Sequence, residues 1–429
     1  MGKYSNYKQS SYDWLGRVPQ HWDEKFLEQT ASEKCVKNSR NTVKQVLSLS
    51  YGEIKKKNNL NKGLIAQDLS TYQIVEPGDI IMRLTDLQND HKSLRTGIVK
   101  NKGIITAAYL CLCPKINPEY LHYTLHAYDV KKVFYGMGGG VRQSIGFKDV
   151  RHMYVPVPPR AEQDQIVRFL DWKVSEINKL IGIRRKEIQE LEELKKVLIL
   201  KVITGKMQNI EMKETSVKWI GRIPKKWNLR HVKDVANITN GSDPKTNGDI
   251  PVYGSGEGAF KTCGEYKEGP TVLIGRKGAT LHIPHYIKGK YWNVDTAFDV
   301  HMKNNNDLRW FYYLAQCFDY QYYISQTTLP SMTQTDYNNM TIPIPPIDVQ
   351  KKIVVYLDQE YLWFNHAINV IRKKVELLNE LKSTLISDVV TGKIDVRNIP
   401  VPAYEHVEDM GDDAGEGNEE EAGIPGEED

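Results

Sequence analysis

The sequence predicts an α/β (α+β) protein with a pseudo-twofold internal repeat, in which two globular domains are linked by two long antiparallel coiled-coil helices. The first observation is the repeat, because the segment WLGRVPQHW from Trp14 to Trp22 returns as WIGRIPKKW from Trp219 to Trp227. The second is a proline-free segment with heptad spacing in each copy. The third is an insert in each copy that reads as strands separated by glycine and proline turns. Together they indicate two copies of one long unit and exclude a short-period solenoid.

The ends of each copy are marked as clearly as the openings. The run VPVPP at 155–159 returns as IPIPP at 342–346, and the triplet TGK at 204–206 returns at 391–393. These markers divide the chain along its length. The predicted parts are an α/β domain over 1–160, a long helix over 161–206, a second α/β domain over 207–346, a second long helix over 347–393, and an acidic tail over 394–429 that we expect to be disordered.

Each predicted helix follows a Pro-x-Pro-Pro run, which cannot itself be helical. Apolar residues then recur at alternating spacings of four and three, over about four heptads. The predicted seam residues are Ile177, Ile181, Ile188, Leu191 and Leu198 in the first helix, and Phe364, Ile368, Val375, Leu378 and Leu385 in the second. Lys195 and Lys382 interrupt both seams at the same place, and we expect Leu194 and Leu381 to continue the apolar stripe beside them. The matching interruption favours pairing of the helices with each other over packing of each on its own domain.

Charge is distributed unevenly along the chain. The formal net charge is only +4, from 58 Lys+Arg and 54 Asp+Glu. Roughly 12 of the acids lie from Glu405 onward, in a stretch without lysine or arginine. Residues 1–404 therefore carry an excess of about +16, which favours a nucleic-acid partner.

Basic and polar residues gather in the predicted loops of both inserts. Arginine, lysine, glutamine and serine can donate hydrogen bonds to phosphates and to base edges, and neighbouring glycines allow a close backbone approach. The alternative is that these loops are ordinary solvated turns. The candidate DNA-binding residues are Arg83, Lys92, Arg95, Arg142, Gln143 and Ser144 in the first insert, and Ser255, Arg276, Lys277, Thr333 and Gln334 in the second.

Catalytic, metal and membrane signatures were sought in the sequence without success. It has no GxxxxGK[ST] phosphate loop, and its five cysteines lack zinc spacing and fit a reducing compartment. The paired histidines His122 and His126 have no evident metal-binding partner, so we expect them to be structural. No apolar run approaches the ~18 residues of a membrane span, and the N-terminus lacks a signal-peptide pattern. We therefore expect a cytoplasmic protein that binds no metal.

The order of these motifs resembles the specificity subunit of type I restriction–modification systems. Two tryptophan-bounded openings are each followed by a variable domain, a Pro-x-Pro-Pro run and a long helix that ends in TGK. The likeness covers nearly the whole chain, and no single motif carries it alone. The stretches YGSG at 253–256, IGRKG at 274–278 and LPSMTQ at 329–334 look like parts of that family's target-recognition domains.

The resemblance implies a division of labour. Each α/β domain would be a target-recognition domain that reads one half of a bipartite double-stranded DNA site, and the helix pair would set the gap between the halves. Two modification (methyltransferase) subunits, which hold S-adenosylmethionine and methylate adenine, would dock on the helices and the conserved frame. Restriction (translocase/nuclease) subunits would bring ATP and Mg. This chain would then bind no cofactor and catalyse no reaction itself.

Two other functions remain open from the residues alone. One is a stand-alone nuclease whose site follows no recognised pattern. The other is a coiled-coil scaffold that binds protein and not DNA. The first alternative requires metal-dependent cleavage by the isolated chain, and the second requires that the basic loops be dispensable.

Overall fold

The computed structural model describes residues 2–12, 14–50, 52–57, 69–85, 87, 94–137, 145–207, 210–324 and 330–408. It divides into two compact units. Unit 1 comprises Met1–Arg185 and Lys373–Asp429, and unit 2 comprises Lys186–Arg372. The predicted parts follow one another along the chain, whereas each compact unit combines one insert with portions of both long helices.

Unit 1 is built from short strands and helices that lead into the first long helix. In chain order these are β1 Tyr7–Gln9, β2 Arg17–Pro19, β3 Asp23–Phe26, α1 Leu27–Thr30, β4 Ala31–Glu33, β5 Leu47–Ser50, β6 Glu53–Lys56, β7 Gln73–Val75, β8 Ile80–Met82, β9 Thr96–Ile98, β10 Gly103–Ile105, β11 Leu110–Pro114, α2 Pro118–Val130, α3 Phe147–Val150, β12 Tyr154–Val157 and α4 Arg160–Ile203. Two 3₁₀ turns, Leu69–Thr71 and Val133–Gly136, lie among them.

Unit 2 follows the same plan with longer strands. Its elements, together with the second long helix, are β13 Met212–Glu214, β14 Arg222–Pro224, β15 Asn228–His231, α5 Val232–Val235, β16 Ala236–Asn240, β17 Ile250–Tyr253, β18 Ala259–Cys263, β19 Lys267–Glu268, β20 Thr271–Gly275, β21 His285–Ile287, β22 Lys290–Asn293, β23 Ala297–Met302, α6 Leu308–Ala315, α7 Tyr320–Tyr323, α8 Gln334–Asn339, β24 Thr341–Ile344 and α9 Ile347–Val390. The mixture of helix and antiparallel strand agrees with the predicted α/β (α+β) class.

The internal repeat continues through the inserts, where the sequences of the two copies share little. Unit 1 contains a four-stranded antiparallel sheet of order β4-β11-β8-β9, and unit 2 contains one of order β16-β23-β20-β21. Each sheet is flanked by a frame of two strand pairs with the turns that follow them, β1-β2 and β3-β12 in unit 1 and β13-β14 and β15-β24 in unit 2. The units differ outside this shared core, since unit 1 adds the pairs β5-β6 and β7-β10 and unit 2 adds a second sheet, β18-β17-β22-β19.

A matching contact fixes each sheet-covering helix to a long helix. In unit 1, Tyr123 of α2 donates from its hydroxyl to Asp171 of α4, at 2.7 Å. In unit 2, Tyr313 of α6 donates to Asp358 of α9, at 2.5 Å. Asp171 and Asp358 occupy equivalent positions of the two long helices, because the heptad alignment that pairs Ile177 with Phe364 also pairs them. The long helices therefore hold the two inserts in the same way.

The predicted seam is buried where the two helices meet inside each unit. In unit 1, Ile177, Ile181 and Leu385 are buried, and Lys382 Nζ donates to Asn178 Oδ1 at 3.1 Å. Seam residues Val375 and Leu378 pack against the same core. Ile188 and Leu191, which belong to unit 2, are half-buried. The lysine that interrupts the α9 seam is thus a hydrogen-bond donor to the facing helix.

In unit 2 the helices contact each other in the same way and run antiparallel. Phe364 and Ile368 are buried, Leu198 is half-buried, and Lys195 Nζ donates to Asn365 Oδ1 at 3.3 Å. Arg372 of α9 donates to Glu192 of α4 at 3.1 Å. Because Glu192 precedes Lys195 in α4 whereas Arg372 follows Asn365 in α9, the two helices run antiparallel. The expectation for Leu194 and Leu381 is wrong: they are 57% and 55% exposed, because they lie on the outer side of the heptad from the buried positions.

Each long helix ends on a glycine that packs against an opening motif. Gly205 follows α4 with φ of +72° and contacts the region of Trp227 in unit 2. Gly392 follows α9 with φ of +74° and contacts the region of Trp22 in unit 1. Both tryptophans are buried in the main core of their unit. The TGK triplets are therefore joints between helix and frame.

The predicted disordered tail over 394–429 is corrected in its first part. Residues 394–408, which we call the C-terminal strap, lie against α4 in unit 1. Gln165 donates to the carbonyls of Val396 and Ile399, at 3.1 and 2.8 Å, and Asn178 donates to the carbonyl of Val407 at 3.0 Å. The acidic stretch from 409 onward lies outside the described residues.

Candidate nucleic-acid interface

In unit 2, three loop segments that the sequence singles out converge at one edge of the four-stranded sheet. Strand β20 ends at Gly275, and the backbone of Lys277 bridges to that of Ser331. Met332 donates its amide to the carbonyl of Arg276 at 2.9 Å, and Ser255 donates its hydroxyl to the carbonyl of Lys277. The loops at 253–256, 275–278 and 331–334 therefore form one surface, which we call the unit 2 loop cluster.

The two cations of the unit 2 loop cluster share one carboxylate. Arg276 Nη1 lies 3.8 Å from Asp295 Oδ2, and Lys277 Nζ lies 4.0 Å from the same oxygen. All three side chains are partly exposed, and ion pairs this long and this exposed contribute little to stability. Both cations can therefore exchange the carboxylate for a phosphate at low cost.

The polar members of the cluster have different surroundings. Thr333 and Gln334 are exposed, although Thr333 caps α8 by bonding to Asp336, and Gln334 donates to the carbonyl of Ile238. Ser255 is buried, and its hydroxyl donates a hydrogen bond to the carbonyl of Lys277. The assignment of Ser255 as a DNA contact is therefore corrected: its side chain shapes the loop, because the bond to the neighbouring loop turns it away from solvent.

Unit 1 has the same backbone arrangement at the same place. Arg83 follows strand β8 directly and is half-buried, and Ile145 donates its amide to the carbonyl of Leu84 at 3.1 Å. This bond corresponds to the one between Met332 and Arg276 in unit 2, since each joins the exit of the equivalent strand to the segment before the equivalent short helix. Of the other candidates, Lys92, Arg142, Gln143 and Ser144 lie outside the described residues.

The assignment of Arg95 as a DNA contact is wrong. Its side chain is fully buried, and its guanidinium donates to the carbonyl of Thr85 at 2.6 Å and to the hydroxyl of Tyr135 at 3.2 Å. Its backbone amide donates to Asp129, which is also buried. A buried guanidinium with these partners holds the loop after β8 in place and has no face left for DNA.

Sequence reasoning missed other basic residues that the structure exposes near these surfaces. Lys55 and Lys56 lie on the exposed strand β6 of a hairpin found only in unit 1. Exposed Phe260 on β18 has Lys261 Nζ 5.4 Å from its ring centroid, and Tyr266 has Lys290 Nζ at 4.0 Å. Exposed aromatic rings with neighbouring cations suit stacking on bases or binding along a phosphate backbone. The sequence signals were the KKK run at 55–57 and the adjacent pair Phe260–Lys261, whereas the contact between Tyr266 and Lys290 had none.

The buried carboxylate of Asp299 is committed to the fold of unit 2. It accepts hydrogen bonds from Lys267 at 3.1 Å, from Thr271 and from Tyr291 at 2.7 Å. These partners link three strands, β20, β22 and β23, with the short strand β19.

Within the described residues, no group of three or more histidine, cysteine or acidic side chains is arranged to hold a metal ion. No described helix has a stretch apolar enough to cross a membrane.

The paired histidines of α2, which we expect to be structural, are half-buried in unit 1. Burial lowers the pKa of His122 to about 3 and that of His126 to about 4, from 6.5. The unfolded chain therefore binds protons below pH 6.5 that the folded chain does not, so acid favours unfolding. Above pH 6.5 the two histidines are neutral in both states and contribute no pH dependence.

This gives a testable pH dependence. The melting temperature of the wild-type chain is expected to fall as the pH is lowered from 6.5 towards 4. Replacing both residues, His122→Gln with His126→Gln, should make that decrease smaller, because two of the proton-binding groups are removed. Differential scanning calorimetry at pH 7, 6 and 5 measures both. His152→Gln is the matched control, since His152 is exposed in the same unit, and an equal effect of the control would contradict the assignment.

Comparisons with known proteins agree with this architecture. Residues 224–377, which include the unit 2 loop cluster, match the family model for the type I restriction modification DNA specificity domain. The chain is 24% identical to the "Putative type I restriction enzyme MjaX specificity subunit" of Methanocaldococcus jannaschii, over 92% of this chain and 98% of that protein. It is also 24% identical to the type I restriction enzyme MjaVIII specificity subunit of the same organism, over 70% of this chain and 76% of that one.

A solved structure shows the same fold. It concerns complex assembly and conformational transition of the type I R-M system, and one of its chains superimposes with a TM-score of 0.63 at 16% identity, over 88% of this chain and 99% of that chain. The matched domain is of the type I restriction modification DNA specificity class, and the fold agrees over most of the chain. The resemblance predicted from the motifs is confirmed: residues 224–377 match the type I restriction modification DNA specificity domain, and most of the chain is similar to type I restriction enzyme specificity subunits.

Proposed function

We propose that each unit reads one half of a bipartite double-stranded DNA site and that α4 and α9 form the coiled-coil spacer that sets the gap between the halves. The observation that carries this proposal is the equivalent loop edge in the two units. Leu84 and Ile145 are joined in unit 1 as Arg276 and Met332 are in unit 2, while the side chains presented there differ. One scaffold with two sets of side chains is what a reader of two different half-sites requires.

The dimensions of the long helices support a spacer role. Each helix has 44 residues, which at 1.5 Å per residue gives a length of about 66 Å. Two half-sites on one face of DNA are separated by about 34–36 Å per helical turn. A paired helix of this length is therefore long enough to position two reading surfaces about one turn apart, and the buried seam inside each unit would keep it stiff.

The catalytic steps are assigned to partners. In this proposal two modification subunits dock on the long helices and frame, bring S-adenosylmethionine and methylate adenine, and restriction subunits bring ATP and Mg. This chain binds no cofactor and acts in the cytoplasm, where the DNA is. A stand-alone nuclease would instead require cleavage by the isolated chain. The buried carboxylate of Asp299 already accepts hydrogen bonds from Lys267, Thr271 and Tyr291, so it is not presented to a metal ion or to DNA.

The gap length provides the test. Inserting one heptad into α4 between Arg185 and Lys186, and one into α9 between Arg372 and Lys373, keeps the seam in register and lengthens both helices by about 10.5 Å. The gap should then grow by about three base pairs, at 3.4 Å each, with both half-site sequences unchanged. Methylome sequencing of a host that also carries the modification subunit reads gap and half-sites together.

The matched control is an insertion of two residues between Asn304 and Asn305, in the exposed turn after β23. Because this turn lies outside both long helices, the gap should stay as it was. Exchange of residues 23–154 for another insert should change one half-site only. An unchanged gap in the heptad variant, or two altered half-sites in the exchange, would contradict the proposal.

A further inference from the structure

The C-terminal strap covers a face of α4 whose counterpart on α9 is bare. On α4, Ser175 is 2% exposed, and its hydroxyl lies 3.3 Å from His406 Nδ1 of the strap. The heptad alignment places Leu362 of α9 at the position of Ser175, and Leu362 is 70% exposed. Neighbouring Trp363 is 58% exposed and Val355 is exposed too. At the Leu362 position, unit 2 thus exposes an apolar residue where the strap covers unit 1. Trp363 and Val355 extend this apolar face, whereas their counterparts on α4, Glu176 and Arg168, are exposed and charged.

One of the two polar anchors of the covered face, Asn178, has a counterpart on the bare face, whereas the other, Gln165, is replaced by Lys352. Asn178 accepts from Lys382 and donates to the Val407 carbonyl of the strap, at 3.0 Å. Its counterpart Asn365 accepts from Lys195 in the same way. Asn365 is partly exposed and donates no described side-chain hydrogen bond, within the part of the chain that the structure describes. Its amide is therefore available for a backbone carbonyl of an extended segment, as Asn178 is for the strap.

The charges around the two faces also correspond. Glu405 of the strap lies 3.6 Å from Lys179, and Glu408 lies 2.5 Å from Lys100. The alignment of the long helices places His366 at the position of Lys179. The register of the sheets places Lys288, one residue beyond β21, at the position of Lys100. Both are exposed; Lys288 can pair with a carboxylate and the His366 ring can donate a hydrogen bond to one, so the bare face suits an acidic segment.

We propose that this face of α9, formed by Val355, Leu362, Trp363 and Asn365, is a docking site for an extended acidic segment of a partner polypeptide. The segment places an apolar side chain on Leu362 and Val355, a backbone carbonyl on the Asn365 amide, and carboxylates towards His366 and Lys288. The C-terminal strap fills the equivalent site on α4, so this particular face is open only on α9. The inference rests on the proposed function only in assuming that the chain works with partner subunits.

The strap itself supplies the probe. A fluorescein-labelled peptide of residues 396–408 is expected to bind the full-length chain with a stoichiometry of one. The tethered strap keeps the α4 site closed, because its effective concentration is in the millimolar range and a micromolar peptide cannot displace it. Fluorescence anisotropy measures the affinity, and a scrambled peptide of equal charge is the first control.

Variants assign the site. Leu362→Glu and, separately, His366→Glu should each weaken peptide binding at least tenfold, through lost apolar contact and like-charge repulsion. The matched control is Val370→Glu, because Val370 is an exposed apolar residue of α9 whose counterpart Ile183 lies beyond the strap and is also exposed. This control should bind within twofold of the wild type. Circular dichroism melting checks that each variant folds.

The outcomes separate this proposal from its alternatives. No binding at hundreds of micromolar, equal binding of the scrambled peptide, or equal affinity of Leu362→Glu would each overturn it. If the chain dimerises and Leu362→Glu abolishes the dimer, the occupant is a second copy, which also overturns the proposal. DNA affinity is measured on the same variants and is expected to be unchanged. A failure of the peptide-binding test therefore leaves the DNA-reading proposal standing, and a failure of the DNA-reading proposal leaves the docking site standing.

Discussion

Reversing both charges of the unit 2 loop cluster, Arg276→Glu with Lys277→Glu, is expected to weaken the binding of duplex DNA about 100-fold at moderate salt. Each basic side chain that neutralises a phosphate releases counterions, and a contact to a base edge is worth roughly 1–3 kcal/mol. Two reversed charges add repulsion to the lost attraction. The loss should be largest for sites with the correct unit 2 half-site, since these residues follow strand β20 at the reading edge.

The salt dependence makes this result specific. If both side chains contact phosphates, the slope of log affinity against log salt should become shallower by about two. Fluorescence anisotropy with a labelled duplex over a range of potassium chloride concentrations gives affinity and slope together. The full-length chain is used, with its modification subunit added in a parallel series.

A charge-matched control exists in the same unit. Arg222 and Lys225 of the unit 2 frame are exposed and already paired with acids, Glu214 and Glu211, as Arg276 and Lys277 are paired with Asp295. Their double reversal changes the net charge equally. An equal loss of DNA affinity in this control would show that only net charge matters and would refute the assignment of the loop cluster as the reading surface.

The architecture could be predicted from the sequence where the signal was local and repeated. The long helices were predicted at 161–206 and 347–393 and are found at Arg160–Ile203 and Ile347–Val390. A Pro-x-Pro-Pro run fixes each start, and a glycine in the left-handed region fixes each end. Heptad spacing identified the buried face because it depends on residues only a few positions apart.

Contacts between distant parts of the chain could not be predicted in this way. Arg95 reads as a solvated loop cation, and its burial depends on Asp129 and Tyr135, which lie on and after another helix. Ser255 is buried by a loop that follows a different strand. Residues 394–408 carry no periodic pattern, and their order comes from Gln165 and Asn178, more than 200 positions away in sequence. Tertiary partners decided each of these cases.

The shared sheet order of the two inserts was also hidden from the sequence. A strand needs only side chains that favour the extended conformation and suit its burial, so side chains can diverge while the order β4-β11-β8-β9 is kept as β16-β23-β20-β21. The loops at the ends of these strands diverge most freely, because they lie at the surface. This is why the frame identified the family and the reading residues remain predictions.

Replacing the glycine at either helix–frame joint by alanine is expected to destabilise one unit and spare the other. In unit 2, a Cβ on Gly205 would lie 2.5 Å from Pro224 Cγ and 3.0 Å from Trp227 Cη2, while φ of +72° already disfavours any side chain. The left-handed conformation costs roughly 1–2 kcal/mol, and the overlap with a proline ring that cannot move adds more. We expect Gly205→Ala to lower the free energy of unfolding of unit 2 by about 3 kcal/mol.

The second joint gives the reciprocal result. A Cβ on Gly392 would lie 2.2 Å from Pro19 Cδ and 3.2 Å from Trp22 Cη2, so Gly392→Ala should destabilise unit 1 by a similar amount. Hydrogen exchange read by mass spectrometry separates the units, because each yields its own peptides. Exchange should increase in β14 and its neighbours for Gly205→Ala, and in β2 and its neighbours for Gly392→Ala.

Two other glycines separate the backbone cost of the joint variants from the cost of the close contact with proline. Gly16 has φ of +69° with no atom within 4 Å of a new Cβ, so Gly16→Ala measures the backbone cost alone. Gly182 lies inside α4 in open space, and Gly182→Ala should stabilise the chain by roughly 0.5–1 kcal/mol through helix propensity. If Gly16→Ala costs as much as Gly205→Ala, the close approach to proline contributes nothing, and the joint is a helix stop only. If the joint variants cost clearly more, the contact between helix end and frame fixes the position of each reading unit on its helix, which a defined gap in the DNA site requires.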